Sequence, residues 1–309
     1  MIEDERRRLI RLKPHLQRRA LIYQFTRAFF REQGFLEVET PLRMPTIAPE
    51  LHITPFESEA WLLSTSPELH MKRMLAAGYD RLFQISHSFR SGERGRWHNP
   101  EFTMLEWYCA GADYREMIQD IEYLLLTLTS KLGLDTVIPY QGQNIDISLP
   151  WPRVTVRDAF LHAAGWDPIA EDDPLRFDTD LVTKVLPSFT PSRPTVLIDY
   201  PAAQASLARL KPDEPGVAER AEVFIGGLEL ANIYSELRDA REQEKRFRET
   251  IEQIQKEEGK PRVMPQSFLE AVAHLPECGG VALGIDRLVM LLCNAASIDE
   301  VITFTVDTA

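Results

Sequence analysis

A tight hairpin in the C-terminal half constrains the fold of this chain more than any other sequence feature. Residues 222–225 and 228–233 both have the apolar character of strands, and only Gly226 and Gly227 separate them. A two-residue glycine loop is typical of an antiparallel hairpin. Other strand patterns lie at 35–40, 81–90, 101–108, 195–200 and 280–285, and helical patterns at 14–31, 235–258 and from 287 onward. We therefore predict an α+β fold in which helices flank an antiparallel sheet, not a doubly wound parallel sheet.

Composition and charge exclude several classes of protein. The formal net charge of the 309 residues is 35 − 47 = −12, which disfavours non-specific nucleic-acid binding through a broad basic face. No apolar stretch approaches 18 residues, so we expect no membrane span, and the N-terminus lacks the apolar core of a signal peptide. Cys109, Cys278 and Cys293 match neither a disulfide framework nor a zinc site. We expect a reduced, cytoplasmic protein.

The chain reads as one domain over residues 1–309. Within it, segment 134–194 has many Asp and Pro residues and no strong strand pattern, so we interpret it as a mostly helical insertion. Segment 155–158 resembles a capping box and predicts a short helix that ends near Gly165.

Acidic side chains in the hairpin form a candidate metal site. Pairing across the glycine loop places Phe224 opposite Glu229 and brings Glu222 onto the same face as a diagonal neighbour. Two carboxylates on one sheet face repel each other unless a cation lies between them, and Mg²⁺ prefers oxygen ligands. Spacing alone leaves a magnesium site and a solvated polar face as alternatives. Glu236 nearby adds a third acid, which could bind an ammonium group.

Two further segments carry candidate functional residues. Glu106 and Tyr108 are two residues apart on one predicted strand and must share a face. Segment 279–284 is rich in glycine but is not a Walker A motif, so close backbone packing competes with ligand binding as its interpretation. Arg287 follows it, and a cation between a glycine-rich strand and a helix can reach a phosphate. The sequence has no nucleophile elbow and no cysteine in a known catalytic context.

Three segments in the right order resemble the motifs of one enzyme family. Segment 89–108 resembles motif 2 of the class II aminoacyl-tRNA synthetases of the lysyl type, segment 34–41 resembles their dimer-forming motif 1, and segment 280–291 resembles motif 3. The resemblance covers roughly residues 14–133 and 194–309. It implies the class II synthetase catalytic fold.

A closer resemblance is to the truncated paralogues of lysyl-tRNA synthetase that join β-lysine to elongation factor P. The matching phrases are segments 64–73, 201–208, 229–232 and 281–291. Only about a dozen residues precede the motif 1 helix, so we expect no N-terminal anticodon-binding domain. Two segments depart from the usual lysyl pattern. Segment 89–93 places its acid, Glu93, one position later than usual, and segment 232–234 has Ile233 where the family usually has Gly.

The resemblance also implies roles for individual residues. Arg90 would hold the α-phosphate of ATP and Arg287 the γ-phosphate, both as catalytic residues, and Phe102 would stack on adenine. Glu222 and Glu229 would hold Mg²⁺. The other nucleotide-binding residues would be Ser91, Gly92, His98, Asn99, Glu229, Leu230 and Gly284. The residues around the amino-acid substrate would be Ser66, Pro67, Glu68, Glu106, Tyr108, Asn232, Glu236 and Ala282.

The resemblance therefore implies a homodimeric ligase that depends on ATP and Mg²⁺. It would activate lysine or (R)-β-lysine as the adenylate and transfer it to a lysine side chain of elongation factor P, with no tRNA as substrate. Ala282 stands where lysyl-tRNA synthetases usually have Gly, and its methyl group would favour β-lysine. A minimal synthetase that charges tRNA and an inactive paralogue that serves as a regulatory binding module are the alternatives.

Overall fold

The computed structural model describes residues 2–309. The helices are α1 (Ile2–Glu32), α2 (Glu68–Ala76), α3 (Tyr114–Lys131), α4 (Val156–Ala163), α5 (Pro174–Asp180), α6 (Leu186–Ser188), α7 (Ala240–Glu258), α8 (Gln266–Val272) and α9 (Ile285–Cys293). The strands are β1 (Leu36–Glu37), β2 (Arg43–Met44), β3 (Glu57–Ser58), β4 (Trp61–Leu63), β5 (Arg81–Phe89), β6 (Glu101–Ala110), β7 (Val137–Tyr140), β8 (Gln143–Asp146), β9 (Arg153–Thr155), β10 (Thr195–Pro201), β11 (Val217–Ile225), β12 (Leu228–Ser235) and β13 (Cys278–Gly284). A π-helical segment, Leu181–Val185, joins α5 to α6.

An eight-stranded sheet in the order β1-β5-β6-β13-β12-β11-β10-β9 organises the fold. The six inner strands pair antiparallel, whereas the edge strands β1 and β9 pair parallel with β5 and β10. Smaller sheets contain β2-β4-β3 and β7-β8. The predicted α+β fold with an antiparallel sheet flanked by helices is therefore confirmed.

The main hydrophobic core lies between one face of this sheet and the helices α1, α3 and α9. Buried residues such as Ile118, Ile121, Leu125 and Leu128 recur along one side of α3, as the period of a helix requires. On the opposite face, α2, α7 and α8 pack together and leave the central strands accessible. Among residues 2–309, none of the helices combines the length and apolar character needed to cross a bilayer.

The N-terminal helix is longer than the sequence pattern predicted. We expected it from residue 14, but α1 begins at Ile2, and Pro14 lies inside it. Buried Leu12 extends the apolar side of the helix upstream of this proline. Gly34 follows the helix with φ +78°, as expected of a glycine stop. The strand predicted at 35–40 is short, since only Leu36 and Glu37 pair with β5.

Segment 134–194 contains helices α4 to α6 and also three strands that we did not predict. The β7–β8 hairpin contributes Ile138, Tyr140 and Ile145 to the main core, and β9 pairs with β10 at the edge of the main sheet. These strands are only three or four residues long, too short for a clear alternating pattern. The prediction of a mostly helical insertion was wrong at these three strands. As predicted, the Thr155 hydroxyl caps α4 by accepting from Asp158 N at 3.0 Å.

The charged helix α7 begins five residues later than the predicted start at 235. Ser235 still belongs to β12, where it pairs with Gly279. The helix begins only after Asp239, whose side chain accepts hydrogen bonds from the backbone N–H groups of Arg241 and Glu242.

Candidate active site

A cavity of about 340 Å³ lies on the face of the sheet opposite the main core. Val281 and Leu283 of β13 point into the core, so the alternate residues Gly280 and Ala282 face the cavity. We call one end the acidic end; it consists of Ser66, Glu68, Glu106, Tyr108 and Glu236. We call the other the arginine end; it consists of Arg90, Glu93, His98, Glu229 and Arg287.

At the acidic end, strand periodicity places Glu106 and Tyr108 side by side, as predicted. The Tyr108 hydroxyl donates to Glu106 Oε2 at 2.9 Å. Ser66 Oγ donates to the other oxygen of Glu106 at 2.7 Å and accepts from the backbone N–H of Glu68 at 3.0 Å. This chain of hydrogen bonds fixes the Glu106 carboxylate between β6 and the start of α2.

A buried lysine behind the acidic end is a residue that sequence reasoning missed. The Lys72 ammonium forms ion pairs with Glu68, one turn earlier on α2, and with Glu236, which follows β12. Lys72 is 2% exposed and Glu236 is 1% exposed. The i,i+4 spacing of Glu68 and Lys72 was a visible signal, but the contact with Glu236 spans 164 positions (236 − 72).

The electrostatics of the acidic end favour a bound cation. Burial, followed by repulsion from Glu68, raises the pKa of Glu106 to about 7. Burial also raises the pKa of Glu236, although Lys72 opposes the shift. Glu236 and Glu68 in turn raise the pKa of the Lys72 ammonium against the effect of its burial. A second cation that enters from the cavity would stabilise the ionised carboxylates.

Gly280 provides the space for this arrangement. It pairs with Tyr108 on one side and with Tyr234 on the other. A Cβ atom at this position would overlap Glu236 Oε1 and the ring of Tyr108. Close backbone packing was one of the two interpretations of the glycine-rich segment 279–284. The contacts of Gly280 confirm that interpretation, and the same packing shapes the cavity.

A β-bulge corrects the hairpin register expected from the sequence. Phe224 does pair with Glu229, as predicted. Between Val223 and Phe224, however, the register shifts, and Glu222 pairs with Asn232. The extra residue in β12 leaves both Leu230 and Ala231 in contact with the core. Because of it, Glu229 shares a face with Asn232, Tyr234 and Glu236, which simple alternation would have separated from it.

Each carboxylate of the predicted metal pair lies beside an arginine. Glu222 Oε1 accepts from Arg220 Nη2 at 2.6 Å. Glu229 Oε2 lies 3.7 Å from Arg287 Nη1, and burial followed by repulsion from Glu222 raises its pKa. Next to Glu222, the buried Oδ1 atom of Asn232 has no hydrogen-bond partner.

The carboxylate oxygens of Glu222 and Glu229 fit a Mg²⁺ ion that binds together with a phosphate. Within residues 2–309, three or more His, Cys, Asp or Glu side chains nowhere converge as a metal site. Mg²⁺ is commonly held by one or two carboxylates together with substrate phosphates. Glu222 and Glu229 are therefore sufficient only if a phosphate supplies further ligands.

The arginine end joins motif 2 and motif 3 residues. Arg287 donates to the Glu229 carbonyl at 2.8 Å, and its Nη2 lies 2.7 Å from His98 Nε2. Burial and the charge of Arg287 lower the pKa of His98, so a neutral ring accepts from the arginine. The Arg90 guanidinium lies over the ring of Phe102, 5.2 Å from its centroid. Two guanidinium groups thus face one open region, an arrangement suited to phosphate.

The predicted nucleotide and substrate residues are brought together only in part. Asn99 lines the cavity, but its amide is engaged with the Glu101 carbonyl and the Val306 N–H. Glu93, the displaced motif 2 acid, lines the cavity and lies 3.7 Å from Arg90. The predicted residues that line the cavity include Phe102, Leu230, Asn232, Ala282 and Gly284; those outside its lining are Pro67, Ser91, Gly92 and Glu222.

Sequence reasoning also missed Glu50, Trp97 and Arg220. Glu50 and Trp97 line the cavity from loops that have no regular pattern. Arg220 precedes Glu222 by two positions on β11, so strand alternation could have found it. Its guanidinium packs on the ring of Tyr200 at 4.5 Å.

Comparison with known proteins identifies the family. The family described as tRNA synthetases class II (D, K and N) matches residues 6–308. Relatives named elongation factor P–(R)-β-lysine ligase are 40% identical to this chain in Salmonella gallinarum, Klebsiella pneumoniae and Salmonella dublin, each over 96% of both chains. This chain therefore belongs to the class II tRNA synthetase family.

Proposed function

We propose that the chain activates (R)-β-lysine or lysine with ATP and transfers it to a lysine side chain of elongation factor P. The charge of the acidic end carries this proposal. Glu68, Glu106 and Glu236 together face one resident ammonium, that of Lys72. Three carboxylates and one ammonium leave two negative charges, which match the two ammonium groups of a lysine-like amino acid. The names of the relatives support the same substrate and acceptor.

In the first half-reaction, the substrate carboxylate attacks the α-phosphorus of ATP and pyrophosphate leaves. Arg90 would stabilise the charge that develops on the α-phosphoryl oxygens, and Arg287 would hold the terminal phosphate. Glu222 and Glu229 would hold Mg²⁺. The bound ion would neutralise phosphate charge and orient the departing pyrophosphate.

In the second half-reaction, the amine of the acceptor lysine attacks the adenylate carbonyl. An amide bond forms, the bond from the carbonyl carbon to the phosphate oxygen breaks, and AMP leaves. No thioester on the enzyme is required. The buried thiols of Cys278 and Cys293, whose pKa values burial raises to about 12 and about 11, are unsuited to form one.

We also propose a homodimer that forms through α1 and β1. Ile10 and Leu21 on α1 and Leu36 on β1 are large apolar residues at 58%, 44% and 49% exposure. A second copy would cover them. Sedimentation equilibrium should give twice the mass of one chain, and a monomer at micromolar concentration would contradict this part.

Pyrophosphate exchange with a panel of amino acids tests the function directly. Lysine and (R)-β-lysine should support exchange, whereas norleucine, which has no side-chain ammonium, should not. Incubation with labelled substrate should then modify elongation factor P but not tRNA. Efficient charging of tRNA would favour the minimal synthetase. Absence of exchange with every amino acid would favour an inactive binding module, which the retained Arg90 and Arg287 argue against.

A further inference from the structure

Glu50 is a cavity carboxylate without a direct partner. It lies in the loop between β2 and β3, is half-buried, and lines the cavity. Within residues 2–309, its carboxylate accepts no hydrogen bond and forms no ion pair. Its oxygens are therefore available to a ligand.

The other carboxylates that line the cavity are each engaged with a cation or with hydrogen-bond donors. The engaged groups are Glu68 and Glu236 with Lys72, Glu106 with Ser66 and Tyr108, Glu93 with Arg90, Glu229 with Arg287, and Asp286 with Arg19 and the Thr103 N–H. His98 is engaged with Arg287. Among the described residues, Glu50 is therefore the one carboxylate lining the cavity that has no hydrogen-bond or ion-pair partner.

Glu50 lines the same cavity as both ends and is electrostatically coupled to each of them. It interacts with Glu68 of the acidic end and with Arg90 and Glu93 of the arginine end. Arg220 of β11 and Tyr234 of β12 also interact electrostatically with it. An adenylate with its ammonium groups at the acidic end and its phosphate at Arg90 would have its carbonyl between these ends, in the cavity that Glu50 lines.

The transfer reaction needs a proton acceptor at this location. The side chain of an acceptor lysine has an ordinary pKa of about 10.4 and arrives as an ammonium, which is not nucleophilic. A carboxylate can bind this ammonium and take one proton from it. The activation step has no such requirement, because its nucleophile is already an ionised carboxylate.

We propose that Glu50 is the general base that deprotonates the acceptor amine in the transfer half-reaction. The ammonium gives one proton to Glu50, and the neutral nitrogen then attacks the adenylate carbonyl. As the C–N bond forms and the C–O bond to AMP breaks, the phosphate leaves with the bonding electron pair and the nitrogen loses its second proton to water. This assignment rests on the proposed function, because it requires an adenylate and an amine acceptor.

The proton affinity of Glu50 suits this task. Burial raises its pKa to about 7, although Arg90 and Arg220 oppose the shift. A general base is most effective when its pKa lies near the working pH. The transfer rate of the wild type should therefore increase as the pH rises through about 7 and level off above it.

Glu50→Gln separates the two half-reactions. Pyrophosphate exchange should change by less than about threefold, whereas single-turnover transfer from the adenylate to the protein acceptor should fall roughly 100- to 10,000-fold, the range typical of general bases. The increase of the transfer rate near pH 7 should disappear, and Glu50→Asp should restore part of the rate. Glu57→Gln is the matched control, because Glu57 is exposed on β3 and does not line the cavity.

Hydroxylamine provides the decisive comparison. It is largely unprotonated at neutral pH, so its attack on the adenylate should proceed equally in the wild type and in Glu50→Gln. An equal loss with hydroxylamine and with the protein acceptor, or a large loss of pyrophosphate exchange, would overturn the assignment and make Glu50 a binding or structural residue. Unchanged transfer would also overturn it. Failure of the proposed function is a separate result, since the wild type itself would then form no adenylate.

Discussion

The acidic end and the arginine end of the cavity are built in different ways. At the acidic end the carboxylates are fixed by internal partners, and Glu106 and Glu236 are both 1% exposed. At the arginine end the Glu229 side chain is 45% exposed, and it meets Arg287 at a distance of 3.7 Å. The acidic end is therefore organised before any ligand binds, whereas the arginine end keeps a charged side chain exposed to solvent.

This difference corresponds to what each end must recognise. Ammonium groups of an amino acid are small and demand a fixed set of oxygens in a dry site, where electrostatic interactions are strong. Phosphates bring several charges of their own and are held by the paired N–H donors of arginines. We infer that the acidic end determines which amino acid is activated, and that the arginine end determines the rate of activation.

Glu229→Gln tests the arginine end and should have the largest effect on the activation step. The change removes one negative charge from the pair with Glu222 but little packing, because the side chain is partly exposed. Adenylate formation should fall roughly 100- to 1000-fold, as for loss of one charge-stabilising group. The measurement is pyrophosphate exchange as a function of Mg²⁺ concentration, with the exposed Glu252→Gln on α7 as the control. Near-normal exchange with ordinary Mg²⁺ dependence would remove Glu229 from the metal site.

Ala282→Gly tests selection at the acidic end. Ala282 faces the cavity between Glu106 and Asn232, its neighbours on β6 and β12. Its methyl group should obstruct an α-amine more than a β-amine, which lies one carbon away. The variant should therefore raise kcat/KM for α-lysine relative to β-lysine by roughly 10- to 200-fold, as a change of about one methylene can achieve. An unchanged ratio would leave Ala282 as a packing residue.

Gly280→Ala tests whether the acidic end is preorganised. The new methyl group must displace the Glu236 carboxylate or the Tyr108 ring. Loss of one charge-assisted hydrogen bond, about 1.5–3 kcal/mol, should raise KM for the amino acid roughly 10- to 100-fold while KM for ATP changes little. A parallel rise of both KM values would instead indicate a general distortion of the sheet.

Much of this site could be predicted because its patterns are local. The shared face of Glu106 and Tyr108 follows from strand periodicity, and the opposition of Phe224 and Glu229 follows from a two-residue turn. The motif resemblance implied that Arg90 and Arg287 belong to one site, and both line the same end of the cavity.

What the sequence did not reveal depends on contacts between distant segments. Lys72 acquires its importance from Glu236, and Glu50 from charges on three separate segments, which are α2, β11 and the loop after β5. The bulge in β12, opposite Val223 and Phe224, has no clear local signature, yet it decides which side of β12 faces the cavity. The short strand β9 pairs with β10, which lies about 40 residues later in the sequence, so local pattern alone does not define it.

The smallest effect should come from proton linkage at Glu106. Because burial raises its pKa to about 7, well above the ordinary value of about 4.3, its contribution to folding stability is fully present below about pH 4. This contribution is lost as the pH rises through about 7, when the buried carboxylate ionises without a cation of its own. A bound lysine-like dication supplies that cation, so ligand affinity should increase with pH over the same range.

The affinity should increase by no more than about tenfold per pH unit for one titrating group. The increase in melting temperature caused by saturating lysine should therefore be larger at pH 8 than at pH 6, about one unit on either side of the Glu106 pKa. In Glu106→Gln this pH dependence should become flatter, because the titrating group is gone while the hydrogen-bonding oxygen remains for Ser66 or Tyr108. A ligand-induced increase that is independent of pH in the wild type would mean that Glu106 is already ionised in the empty site. The three carboxylates and Lys72 would then carry two net negative charges before any ligand binds, and the acidic end would attract a dication equally well at pH 6 and at pH 8.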